Sequence, residues 1–257
     1  MFTELHVLYM LYSGLAGAAV LLALHLAKSK RISKIALRAL ALVTIFIHYS
    51  PLWVDYLTTG AAAMRPELLF LLHPCHVCMW LLLISSFLID RNDVVSRTIK
   101  DFVFWGGTVC GAIGTMFNFE FDKNPSFEDY GVLKGLLSHS TMVTGCILLF
   151  VAGFVTIRVW SALRAVSAGL LLFGLCGWSA NTLFAHFGLG APNSMYLLEP
   201  PFESEPWLTV WTIAAMALTL AFVIAALFEQ FVLPREQRWY ACLGKWVKKQ
   251  RPHTKGK

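Results

Sequence analysis

Two imidazoles, two thiols and a proline crowd into ten residues of an otherwise apolar stretch, Leu71-Leu72-His73-Pro74-Cys75-His76-Val77-Cys78-Met79-Trp80. A cysteine thiolate is a strong nucleophile near neutral pH once a base takes its proton, and imidazole is the commonest such base. Cys75 is therefore the candidate nucleophile. The same residue types also suit metal ligation, dithiol redox through Cys75-x-x-Cys78, and axial ligation of a b-type haem. Helical geometry separates these chemistries. Cys75 and Cys78, three apart, share a face, while His76 points about 100° and His73 about 200° away from Cys75. One face cannot present all four groups, so no metal site and no cofactor are expected from this segment. Pro74 is expected to disturb the helix beside Cys75.

Cys75 needs a partner, and several polar groups lie in other apolar runs. Ser138-His139-Ser140-Thr141 supplies His139 as the candidate base, with His76 the local alternative. His48-Tyr49-Ser50-Pro51 supplies a second histidine, which reads equally well as a buried residue with satisfied hydrogen bonds. Pro51 should kink its helix and free the carbonyl of Ile47. Asn181 or Asn193 could orient an imidazole or donate to an oxyanion. Asn193 and Tyr196 sit in the turn-rich stretch from Gly188 to Pro201. His6 and His25, near the ends of the first run, read as solvated or interfacial.

The elements that must hold these groups are membrane helices. The chain has 257 residues, 57% of them hydrophobic and only 14% charged, with a mean hydropathy of +0.63. That composition excludes an ordinary soluble domain and predicts an all-α, polytopic membrane bundle. Seven apolar runs emerge, roughly 7–27, 35–58, 68–89, 102–118, 132–157, 162–188 and 207–233. The fourth carries Gly106, Gly107, Gly111 and Gly114 and should pack closely against its neighbours.

Charge sets the orientation. All but three of the 21 basic residues fall on one set of alternate loops or in the tail, the exceptions being Arg65, Lys123 and Lys134. The positive-inside rule puts the N-terminus outside and the C-terminus in the cytoplasm. Residues 1–233 form the seven-helix transmembrane domain and 234–257 a basic cytoplasmic tail. The first run is not a cleavable signal, because its charges follow the apolar segment.

The net charge of +6 is topological and gives no reason to expect nucleic acid. Cys110, Cys146 and Cys176 read as small core residues and Cys242 as a reduced thiol in the tail. The last run has no lysine, which excludes a retinal Schiff base there. On this reading Cys75 lies roughly 12 Å along a helix that starts at Glu67. His139 lies at a similar depth, and the polar groups converge on the outer half around a pocket facing the outer leaflet.

The stretch Leu72-His-Pro-Cys-His76 resembles the Pro-Cys-His signature of the YwaF-type bacterial integral-membrane proteins. It is similar, too, to that of animal transmembrane acyltransferases that remodel ether phospholipids. Asn193-Ser-Met-Tyr-Leu197, followed by Pro200, resembles the family's second signature, and His139 falls where the family places its histidine. The resemblance implies Cys75 as nucleophile and His139 as general base of a lipid acyltransferase or acyl-ester hydrolase. His76, His48, Asn181, Asn193 and Tyr196 are then the substrate-binding or supporting residues. Membrane lipids are the expected partners, in a multi-pass protein of a bacterial cell membrane. A non-enzymatic lipid-binding or transport protein stands as the main alternative, ahead of a thiol redox or b-type haem protein.

Overall fold

A computed structural model describes residues 3–60, 70–118, 126–201 and 205–241. Arg65, Glu67, Glu120, Asp122, Lys123 and Glu203, and the tail beyond Ala241 with Cys242 and Trp246, lie outside the described residues. Among the described residues the chain is helical, with no strand. In chain order the helices are α1 (Glu4–Ala27), α2 (Lys30–Tyr49), α3 (Pro51–Thr59), α4 (Pro74–Phe87), α5 (Val94–Phe102), α6 (Thr108–Met116), α7 (Tyr130–Val151), α8 (Val159–His186) and α9 (Val210–Val232). Five of them, α1, α2, α7, α8 and α9, are long and apolar enough to cross a bilayer. α4 is apolar but has only 14 residues.

Local chemistry explains most boundaries. Side chains of Thr3, Ser29, Asp93, Asp129 and Thr209 accept first-turn N–H groups at the starts of α1, α2, α5, α7 and α9. Pro51 separates α2 from α3 as expected. The Ile47 carbonyl it frees accepts both the N–H of Ser50, at 3.3 Å, and its hydroxyl, at 2.5 Å. A π-helical turn, Val103–Gly107, joins α5 to α6, so the path from Val94 to Met116 is helical throughout.

α2, α4, α7 and the π turn enclose the main core, which includes Leu37, Ala41, Cys78, Met79, Leu82, Met142, Cys146 and Leu149. The glycine-rich run packs as its composition predicts. A Cβ on Gly111 would sit 2.6 Å from Val143, and one on Gly114 would sit 2.2 Å from the His139 ring. α8 and α9 form a second cluster through Ala162, Val166, Ala221 and Ala225. α1 lies outside, with Leu11, Leu15, Leu22 and Leu26 exposed as lipid-facing side chains would be.

Two expectations change. His6 is not solvated: it is fully buried, and its Nε2–H donates to the Thr115 carbonyl at 2.8 Å, tying α1 to α6. Pro74 does not disturb a helix but starts one. It occupies the first position of α4, where its missing N–H has no helical partner to lose and its fixed φ suits entry.

Candidate functional site

The start of α4 at Pro74 sets the site's geometry. His73, its N-cap, has extended backbone at φ −120° and ψ 150°, and residues 70–73 are non-helical. Cys75 therefore lies in the first turn of a helix rather than in the middle of one, and it is half-buried. Non-helical backbone at membrane depth must be satisfied by protein. Here the loop that follows α8 does so. The Leu72 carbonyl accepts the Ser194 hydroxyl at 2.9 Å and the Met195 N–H at 2.8 Å.

That loop segment is built for insertion. Ser194 and Met195 are buried, and Asn193, Met195 and Tyr196 all hold left-handed backbone at φ 48°, 55° and 56°. Left-handed φ at three of four consecutive non-glycine residues is costly, and surrounding contacts must hold it. Asn181, one end of the clamp, accepts the Ser194 N–H through Oδ1 at 2.8 Å and donates through Nδ2 to the Ser194 carbonyl at 3.4 Å. The Asn193 Oδ1 accepts the N–H groups of Leu198 and Glu199, and its Nδ2 donates to the Glu199 carbonyl. Gly177 on α8 makes the approach possible, since a Cβ there would lie 2.8 Å from the Ser194 carbonyl oxygen.

The histidines gather around this clamp. Because His73 is outside the helix, the wheel angle that sent it away from the others does not apply. Its ring lies 5.2 Å from His76 and 5.8 Å from Tyr196, centroid to centroid. His76 in turn meets His48 of α2 edge-to-face at 4.6 Å, and its Nδ1–H donates to the Phe70 carbonyl at 3.3 Å. Tyr49, the next residue, packs against the His48 ring and accepts the indole N–H of Trp80 at 2.7 Å.

His139 approaches from α7. Its Nδ1–H donates to the Gly135 carbonyl one turn earlier at 2.7 Å, which leaves Nε2 as a lone-pair acceptor. The ring lies over Gly114, and Cys110 is one turn away on the same face of α6. Cys75 and Cys110 pack against the same core, and Lys134 lies on α7 five residues before His139. Cys78 is fully buried in the main core with Cys146. Among the described residues no group of three or more His, Cys, Asp or Glu is arranged to hold a metal.

Two apolar grooves flank the cluster. One of about 590 Å³ lies under the inserted loop, between Trp178, Asn181, Ala185 and Leu197. The other, of about 420 Å³, runs along α2 to Trp80, with Phe46, Tyr49 and Trp53 in its wall. A family model matches residues 1–228. The chain belongs to the TMEM164 family. No curated protein and no solved structure matches it. The matched span of this TMEM164-family chain contains every residue of the cluster, and with its long apolar helices it marks a membrane protein.

Cys75, His76, His48 and Tyr196 thus come to one region, with His139 on a helix packed against α2 and α6. Asn181 and Asn193 do not orient an imidazole. Both spend their amides on the inserted loop, and the Gly135 carbonyl orients His139. Sequence reasoning missed Leu72, Ser194, Tyr49, Cys110 and Lys134. Lys134 alone carried a usable signal, as one of the three basic residues outside the main basic loops and tail.

Proposed function

We propose that this TMEM164-family protein is an integral-membrane lipid acyltransferase or acyl-ester hydrolase, with Cys75 as nucleophile and His139 as general base. The observation that carries the reading is the committed tautomer of His139: Nδ1–H is held by Gly135, so Nε2 is free to take a thiol proton. Cys75 supports it from the other side, as a half-buried thiol in the first turn of α4, where backbone N–H groups favour negative charge. The resemblance of the Pro-Cys-His and Asn-Ser-Met-Tyr-Leu stretches to acyltransferase signatures supplies the reaction class.

The sequence of steps is short. The Cys75 sulfur attacks the carbonyl carbon of a lipid ester while His139 takes the thiol proton. The tetrahedral intermediate expels the lysolipid alkoxide, which recovers that proton, and a thioester remains on Cys75. A second lysolipid hydroxyl, or water, then resolves the thioester with His139 again as base. An acylating probe tests this directly. Wild type should be labelled, Cys75→Ser not at all and His139→Ala far more slowly. Equal labelling of all three removes the mechanism and favours a lipid-binding or transport protein, in which Cys75→Ala leaves function intact.

The same proposal includes seven spans, with the N-terminus outside and the C-terminus cytoplasmic. The five long helices are joined by the helical path from Val94 to Met116, about 34 Å at 1.5 Å per residue, and by α4. α4 alone covers about 21 Å, so the segment 70–73, shielded by the inserted loop, completes the crossing. Charged tags placed after Ala27 and before Glu4 should report opposite sides of the membrane.

A further inference from the structure

We propose that His48 is a substrate-binding residue that donates its ring N–H to the acyl carbonyl oxygen while Cys75 attacks it. This rests on the acyl-transfer reading above and adds the group that reading lacks, a donor for the oxygen that becomes negative. His48 is 5% exposed, and both ring nitrogens are buried without a hydrogen-bond partner among the described residues. Proteins satisfy nearly all buried polar groups, so an orphaned imidazole calls for a partner from outside the chain. His76 and His139 are already engaged, through Nδ1 with Phe70 and with Gly135. His73 also leaves Nδ1 unpartnered among the described residues, but it precedes α4 and lies against Tyr196, not on the helix between nucleophile and base.

Position supports the assignment. α2 packs against both α4 and α7, so His48 stands between the helix of the nucleophile and the helix of the base. Its ring touches that of His76, the neighbour of Cys75, at 4.6 Å. Tyr49 beside it forms part of the apolar groove along α2, a path for a fatty acyl chain. An ester offers the matching chemistry: an apolar chain with one carbonyl oxygen at its end. In the step itself the C–S bond forms, the carbonyl π pair moves to oxygen, and the thiol proton goes to His139. His48 donates a hydrogen bond to that oxygen and loses no proton. A neutral imidazole suffices for this role.

Two reagents on the same thiol separate this role from a structural one. Iodoacetamide alkylates Cys75 without forming an oxyanion, whereas p-nitrophenyl palmitate acylates it through one. Intact mass would follow both rates on purified wild type, His48→Phe and His48→Gln. His48→Phe should slow acylation about 100-fold, in line with the loss of one oxyanion donor, and change alkylation less than about threefold. His48→Gln restores an N–H and should recover at least about tenfold of the loss. Equal slowing of both reactions would mean that His48 only shapes the surroundings of Cys75, and would overturn the proposal. Unchanged acylation in His48→Phe would mean that a resident water satisfies the ring, and would overturn it too. A wild type that is alkylated but never acylated fails before any substitution is made. That result removes the acyl-transfer reading, and this assignment with it.

Discussion

The two ends of the bundle treat buried polar groups in opposite ways. At the basic end, Lys100 is buried, yet its ammonium donates to the carbonyls of Ile89 and Arg91. Glu229, also buried, accepts the N–H of Val159 at the start of α8 at 2.8 Å and that of Trp239 at 2.5 Å. Asp101 meets Arg164 at 3.3 Å. Lys100 closes a turn, Glu229 closes the start of α8, and Asp101 ties α5 to α8. At the other end, among the described residues, His48 has no partner for either nitrogen and His73 none for Nδ1, and three non-glycine residues hold left-handed backbone. The first arrangement is what a structure needs in order to stand. The second leaves buried imidazole nitrogens unspent beside a strained loop that covers the start of α4, which is the physical mark of a site that binds something.

The contrast breaks most visibly at Glu229. Glu229→Ala removes the acceptor from two N–H groups, one of them fully buried, and should cost about 3 kcal/mol. It should lower the thermal midpoint of the detergent-solubilised protein and leave the reactivity of Cys75 per folded molecule unchanged. Asn181→Leu should cost about 2 kcal/mol by stranding the Ser194 N–H, and its larger effect should fall on the site. Freeing the inserted loop releases the Leu72 carbonyl and hence the start of α4, so acylation of Cys75 should drop much more than stability. A loss of stability with no change in labelling would make the clamp mere architecture, like the basic end.

How far the sequence reached follows the same divide. The all-helical bundle, its apolar runs and the close packing of the glycine-rich helix were legible because hydropathy and residue size report burial directly. The freed carbonyl of Ile47 was legible because proline chemistry is local. The arrangement around Cys75 was not. Placing Pro74 inside a helix gave His73 a wheel angle it does not have, since the choice between kinking a helix and starting one depends on the loop that covers Leu72. That loop comes from residues more than a hundred positions away. His6 was misread for the same reason: its acceptor, the Thr115 carbonyl, belongs to another helix.

Replacing a group in each region by an apolar one sharpens the comparison further. His48→Phe removes two unsatisfied buried nitrogens and keeps a ring of similar size, so stability should stay level or rise by up to about 1 kcal/mol. A thermal melt of the purified variant beside wild type measures it. A fall like that of Glu229→Ala would show that His48 is bonded in the native protein, and the two ends would then be alike.

The smallest effect concerns the loop between α4 and α5 at the basic end. A hydrogen bond from Lys34, at 2.5 Å, holds the Asp90 carboxyl below the usual carboxylate range. The Ser96 hydroxyl and N–H do the same for Asp93, the N-cap of α5. A carboxyl whose pKa is depressed by folding adds stability that is complete above its unfolded pKa, near 4, and is lost as pH falls through the folded value. Both groups are exposed, so solvent screens the contribution. Melts of wild type and an Asp90→Asn, Asp93→Asn double variant should therefore differ slightly at pH 7 and converge below about pH 3. The outer cluster contains no carboxylate among its described residues, so the convergence should leave it untouched. The double variant should keep the wild-type rate of Cys75 acylation at pH 7. A changed rate would mean that the loop between α4 and α5 is coupled through α4 to its first turn, and the two ends would no longer be separable.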